Sequence, residues 1–391
     1  MADNKVSIEQ ARAMLRASGV LLGRFQGPEL FDAQTFTTGQ IYNSRPINLD
    51  RPIESMTVIA KYRITVAGAP YAAVSPEAPQ NFLQGIIING QHRDFGGVVP
   101  FNLSGATAYV WPYLFQNGGT GGETIINGVR AANPNRPFTS PFSGAIGTYD
   151  VVQTWVLPFG PVLGTGTSSK RALTNFLLQP LDWNDSLRLQ LKWGDASSFG
   201  DATGATVSFT GFGGAGSPTF GVHFNYAILG ELRNRMRSGL VFRNENFLTQ
   251  FVSAVSNTRL QDLQHQITTN VLVKTGLIQA TGLTAGLTTF ASLSDVQTDR
   301  IRVIVDNKAI RDNQDNFVAK AYYERMFGTV HPTGYFLSSF IDSQNPLTAF
   351  RGDGLAGGAN FALFADILTA SANNRQSFIQ EYVQGGPFPA R

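Results

Sequence analysis

The chain has 391 residues, 42% hydrophobic and only 15% charged, with 41 glycines, 29 phenylalanines and no cysteine. That length supports two domains with cores of their own, and so apolar a composition excludes a disordered chain. The missing cysteines exclude disulfides, thiolate zinc sites and thiol catalysis, while 30 basic against 27 acidic residues (net +3) leave no charge excess that would mark a nucleic-acid binder.

In chain order, residues 1–24 read as an amphipathic helix. Ser7 and Gln10 form a capping box, and Gly19 offers a stop. Ile8, Ala11, Leu15 and Ser18 line one side, while Lys5, Arg12, Arg16 and Arg24 make the segment basic. Two uses fit. The helix contacts an anionic membrane surface or a partner through Lys5, Arg12, Leu15 and Arg16, or it packs on its own domain or a neighbouring subunit. The polar N-terminus has no signal-peptide pattern.

Residues 25–238 carry strand and turn signals. Residues 57–66 form a β-branched run between Pro52 and Gly68. Residues 82–88 form another, and Asn89-Gly90 reads as a tight hairpin turn after it. Residues 108–115 are an aromatic run that reads as a strand ending in a glycine cluster. The stretch 151–193 then reads as strand, short helix, strand. Val151 to Leu157 is strand-like, Ser169 caps a helix bearing Leu173, Phe176 and Leu177, and residues 185–193 alternate cleanly. Leu187, Leu189, Leu191 and Trp193 share one face, with Arg188, Gln190 and Lys192 on the other, so one face is core and one is wet. Residues 206–211 and 221–229 close this half.

The charged run Glu231, Arg233, Arg235, Arg237 marks the boundary, which divides the chain into an arm (1–24), a first domain (25–238) and a second (239–391). The second half has strands at 240–243, 247–255, 268–278 and 300–305. A helix follows, capped by Asp315 or Asn316, with Val318, Ala321, Tyr322 and Met326 on one face and Lys320 paired with Glu324. Strands at 334–341, 360–367 and 377–383 complete it. Residues 354–372 are apolar, but Asn360 and Asp366 interrupt them, so they do not read as a membrane span. The expected fold is all-β: two jelly-roll sandwiches in tandem, with one short helix inserted in each and an N-terminal amphipathic helix. The units at 151–193 and 300–341 read as equivalent inserts.

Chemistry is not visible. His92, His223, His265 and His331 have no metal-ligand spacing among them. The runs 211–216 and 164–170 lack Walker spacing and read as loops. No Gly-x-Ser-x-Gly elbow occurs. Asp182/Asp185 and Asp312/Asp315 fit turns and caps better than acid–base work or calcium. The expectation is a protein that is no enzyme and needs no cofactor or metal.

The ordered features resemble the double jelly-roll major capsid proteins of tectiviruses, icosahedral phages with an internal membrane. They are the amphipathic N-terminus, Thr154-Trp-Val-Leu-Pro158, Leu173 to Pro180 leading into Ser186 to Trp193, the helix 317–327 leading through His331 to Phe336, and the final pair at 360–367 and 375–383. The glycine-rich loops between Gly118 and Gly147 depart from that pattern. The resemblance implies a homotrimer with a pseudo-hexagonal footprint that meets neighbouring trimers and minor or vertex proteins. It places the N-terminal helix at the internal membrane and implies no specific nucleic acid. The protein would be made in the host cytoplasm and end in the virion. The other class that fits is a β-sandwich receptor- or carbohydrate-binding spike, in which an aromatic segment such as 111–115 stacks on sugars.

Overall fold

The structure, a computed structural model, describes residues 20–26, 39–47, 52–69, 82–105, 107–109, 122–130, 146–159, 178–184, 187–194, 206–228, 240–252, 258–259, 264–267, 271–283, 290–292, 298–305, 308–327, 330–331, 335–339, 350–351, 359–367 and 374–385. The first half holds β1 (Val20–Gln26), β2 (Ile41–Asn43), β3 (Ile53–Ala67), β4 (Leu83–His92), β5 (Gly96–Leu103), β6 (Thr124–Ile126), β7 (Val129–Arg130), β8 (Gly147–Pro158), β9 (Arg188–Trp193), β10 (Thr206–Thr210) and β11 (Thr219–Ile228). The second holds β12 (Leu240–Val252), β13 (Thr258–Arg259), β14 (Gln264–Ile267), β15 (Val271–Leu283), β16 (Phe290–Ser292), β17 (Thr298–Val305), β18 (Lys308–Asp315), helix α1 (Asn316–Phe327), β19 (Tyr335–Ser339), β20 (Phe350–Arg351), β21 (Ala359–Ile367) and β22 (Asn374–Gly385).

Period-two patterning builds the first sandwich. Along β3, Val58, Ala60, Tyr62, Ile64 and Val66 are buried while the residues between them are not. β8 buries Val151, Trp155 and Leu157, and β9 alternates as its sequence demands, with Leu189, Leu191 and Trp193 inside and Arg188 and Lys192 outside. The two inner faces meet in one cluster. Tyr62 of β3 stacks on Phe82 at 3.8 Å between ring centroids, and Trp193 of β9 meets Phe220 of β11 edge-on at 4.4 Å. Gln153 falls on the buried face of β8 and is tolerated there because its Oε1 accepts the Tyr62 hydroxyl at 3.1 Å.

Among the described residues the strands form three sheets. One runs β1-β11-β3-β8-β6-β7, with β10 also on β3. A second runs β13-β21-β17-β18, with β14 also on β21. The third runs β16-β15-β22-β12-β5-β4-β9-β2, with β19 and β20 also on β15. The pairings fall into two matching sets. The order β2-β9-β4-β5 in the first half repeats as β12-β22-β15-β16 in the second, and β3-β8-β6-β7 repeats as β14-β21-β17-β18. Every pair within these sets is antiparallel. Two interleaved four-stranded sheets per half are the connectivity of a jelly roll, so the duplication is visible in the hydrogen-bond ladders alone. The halves are joined by one parallel pairing, Asn244 with Phe101 and Glu245 with Asn102, which fuses a sheet of each roll into the third sheet.

Several expectations need correction. Val20 to Arg24 are not helical; they belong to β1, which pairs with β11 along its whole length. Residues 1–19, the helix at 169–177 and the 231–239 boundary lie outside the described residues. Asn89-Gly90 is no turn. β4 runs through it to His92 with a register shift between Ile88 and Gly90, and the chain turns at residues 93–95. The glycine serves close packing instead, since a Cβ on Gly90 would sit 2.5 Å from Leu187 Cδ2 and 3.0 Å from the Trp183 ring. Ala108 and Tyr109 are in a helical turn, because the Ser104 hydroxyl accepts the Thr107 N–H (3.2 Å) and the Ser104 carbonyl accepts that of Ala108 (2.8 Å). Finally, the two inserts are not equivalent. Residues 159–187 connect β8 to β9, whose counterparts are β21 and β22, whereas α1 lies between β18 and β21, the place of the β7–β8 connection.

Candidate assembly interface

Among the described residues no group of three or more metal-binding side chains occurs. His92 closes the β4–β5 turn. Its Nδ1 accepts the Asp94 N–H at 3.1 Å, its ring stacks on Phe95 at 4.9 Å, and Trp183 meets it edge-on at 5.3 Å. His331 is buried, and its backbone N–H is held by Glu324 Oε1 at 2.8 Å. His223 lies in β11 and His265 in β14.

The glycine loop at 211–216 shows why it is no phosphate cradle. Gly213, Gly214 and Gly216 have φ of 80°, 93° and 72°, values that side-chain-bearing residues rarely adopt. The Gly213 N–H this geometry presents is already taken by Asp150 Oδ1 at 2.9 Å. Asp150 is in turn gripped by Arg63, Nε to Oδ1 at 2.8 Å and a terminal nitrogen to Oδ2 at 2.7 Å. A carboxylate therefore stands where an anion would bind. The guanidinium holds the Asp150 carboxyl below the usual aspartate range, partial burial opposes it, and the Gly213 N–H adds to the lowering. Its contribution to holding the loop is thus present above the ordinary value of 3.8 and lost as the pH falls through the lowered one. The pair is partly exposed, so global stability gains little from it. Asp150→Asn will speed amide exchange at Gly213 at neutral pH, an opening the parent chain shows only on acidification. Unchanged exchange in the variant contradicts this role.

What the structure does present is an exposed apolar surface on its helix. Asp315 is the cap of α1, with Oδ1 accepting the N–H of Phe317 at 2.9 Å and of Val318 at 3.1 Å. Ala319, Lys320 and Tyr323 are the buried side of the helix. The face the sequence marks as apolar points outward. Phe317 is 51% exposed, Val318 59% and Tyr322 56%, and Val330 beyond the helix is 61% exposed. Of that stripe Val318, Ala321 and Tyr322 are exposed, so among the described residues nothing covers them. α1 packs on β19, at one end of the long sheet. At the other end β2 exposes Ile41.

The sequence-derived contact residues Lys5, Arg12, Leu15 and Arg16, the arginines 233, 235 and 237, the glycine run 164–170 and the aromatic segment 111–115 lie outside the described residues. No helix among the described residues is long and apolar enough to cross a membrane. Sequence reasoning missed where the sheet edges fall. No local signal marks them, since an edge is defined by what fails to pair with it.

Solved structures share this architecture from end to end. The major capsid protein of bacteriophage PM2 superposes with a TM-score of 0.53 at 11% identity, over 95% of this chain and 100% of that one. A chain from the atomic structure of Sulfolobus Turreted Icosahedral Virus gives 0.55 at 11% identity, over 93% and 91%. PBCV-1 VP54, as fitted into a reconstruction of the virophage Sputnik, gives 0.52 at 11%, over 96% and 98%. No family model and no curated protein matches the sequence. The full-length likeness establishes the fold as the double jelly roll.

Proposed function

We propose that the chain is the major capsid protein of an icosahedral virus with an internal membrane, acting by assembly with no catalytic step. The observation that carries the reading is the duplicated ladder. Two equivalent rolls in one chain, matched over nearly their whole length by a known capsid protein, make a tile with two like halves. A homotrimer of such tiles has six rolls and a pseudo-hexagonal outline, of the tectivirus kind. Neighbouring trimers and minor vertex proteins complete the shell in this reading. Electron microscopy of the purified, concentrated chain tests it. Hexagonally packed sheets or closed shells are the expected images. Dispersed monomers that form no lattice and bind a glycan array would replace it with the receptor- or carbohydrate-binding reading.

The N-terminal segment belongs to the same proposal. Lys5, Arg12 and Arg16, with Leu15 on the apolar side, are suited to an anionic lipid surface beneath the shell. Because β1 begins at Val20 and is paired throughout, the clean truncation removes residues 1–19 and leaves the sheet intact. The full chain will co-sediment with vesicles containing anionic lipid and the truncated chain will not. Equal sedimentation of both would remove the membrane role.

A further inference from the structure

The outer face of the β2-β9-β4-β5 sheet is basic. Arg188 and Lys192 are exposed on it, and the four strands contain no Asp or Glu. Beside Arg188 this face opens into a groove of about 480 Å³, lined by Asn89 to Gln91 of β4, Gly97 to Val99 of β5 and Arg188 of β9. That volume is within the range of about 300–1,000 Å³ common to small-molecule sites. The β4–β5 ladder makes the groove. Ile88 pairs with Phe101 and Gly90 with Val98, so Asn89 alone stands opposite both Val99 and Pro100. A bulge of this kind bends the strand that carries the added residue. Gly97 supplies a floor without a side chain. A Cβ there would meet only the Gln91 amide nitrogen, at 3.7 Å. Gly90 also contributes backbone alone, with Leu187 and Trp183 packed against it.

The polar side chains of the groove are not used inside the chain. Asn89 pairs directly with Arg188 across β4 and β9, and Gln91 follows on the same side of the pleat. Among the described residues no carboxylate pairs with Arg188, and no hydrogen bond holds the side-chain amide of Asn89 or Gln91. A guanidinium so placed selects an oxyanion, and its planar fork matches a carboxylate. Amides both donate and accept, as hydroxyl groups do, so the two amides match a hydroxylated ligand. Val99 adds an apolar wall. We propose that this groove binds a hydroxylated carboxylic acid of monosaccharide size, of the uronic acid class. Its carboxylate lies on Arg188 and its hydroxyls on Asn89 and Gln91. The inference goes beyond the shell reading and does not depend on it, because the groove is formed within one roll. The same acid occurs free and as the end residue of a glycan, and both present the recognised groups.

Saturation-transfer NMR and calorimetric titration of the full chain test this, with glucuronate, glucose and acetate as probes. Glucuronate is expected to bind with a Kd of about 1 mM or tighter. Glucose and acetate should bind at least roughly tenfold more weakly, since each lacks one half of the recognised pattern. An oligosaccharide ending in glucuronate that binds more tightly than the free acid makes a glycan the source, and one that binds no better makes it the free acid. Arg188→Gln will weaken glucuronate binding at least roughly tenfold. Gly97→Val will abolish it by filling the groove, without lowering the melting temperature, because the added side chain meets only the Gln91 amide. Lys192→Gln removes a cation from the same face outside the groove and will leave the affinity unchanged. The inference is overturned by no binding of glucuronate at about 20 mM, or by acetate binding as tightly as glucuronate. Equal losses in the Arg188 and Lys192 variants, or undiminished binding by Gly97→Val, would overturn it as well. None of these results bears on lattice formation, so the shell reading is tested separately.

Discussion

Trp193→Ala will destabilise the first roll by about 3–5 kcal/mol, a large fraction of a domain's net stability. The indole is 2% exposed and sits where the two sheets meet. Its ring lies 5.0 Å from Tyr42 and 5.1 Å from Phe82 on its own side, and 4.4 Å from Phe220 on the opposite sheet. Removing it deletes the largest side chain on the buried face of β9 and opens a cavity that the flat, close-packed aromatic neighbours cannot refill. Lys192→Ala, one position away on the wet face, is expected to change stability by no more than about 0.5 kcal/mol. Calorimetry of the two variants checks the pair. The tryptophan variant should melt roughly 10 °C earlier than the lysine variant. Equal melting would mean that β9 does not present this face to the core.

The second large effect concerns assembly rather than folding. Val318→Asp combined with Tyr322→Asp will leave the single chain folded, because both side chains are more than half exposed and neither holds α1 in place. Anchoring falls to Ala319 and Tyr323, and capping to Asp315. The same variant will assemble at least roughly 30-fold more weakly, the loss expected when buried aromatic and aliphatic anchors become charged, about 2 kcal/mol or more. On the shell reading the partner is another copy of the chain. α1 packs on β19, an outer strand of the long sheet, so its apolar face lies at one end of that sheet. Sedimentation velocity across a concentration series reads the difference. A variant that assembles like the parent shows that this face lies outside the interface.

How much of this was legible in the sequence depends on how local each cause is. β3, β8 and β9 were legible because alternation records burial residue by residue, and Leu187 to Trp193 kept the predicted face without exception. The cap at Asp315 was legible for the same reason. Asn89-Gly90 misled because two different needs select glycine. A turn needs positive φ, but Gly90 answers to the Leu187 and Trp183 side chains, which come from nearly a hundred residues away. Ala108 and Tyr109 misled because they open an aromatic run that reads as a strand, whereas Ser104, a cap three residues upstream of Thr107, starts a helical turn there. The α1 stripe was found but its direction was not, since periodicity reports which face is apolar and not what covers it. The two strand–helix–strand units looked alike because hydrophobic pattern carries no pairing information. Only the ladder order shows that one follows β8 and the other precedes β21. The joint between Asn102 and Glu245 left no mark on the sequence, because two short pairings far apart in the chain carry no local pattern.

The mass of the purified full chain in solution tests the central claim most directly. If the two rolls of each chain are one third of a six-roll ring, light scattering will give a stable species at three times the 42.3 kDa chain mass, unchanged on dilution to low micromolar concentration. A single species at 42.3 kDa over that whole range would contradict it.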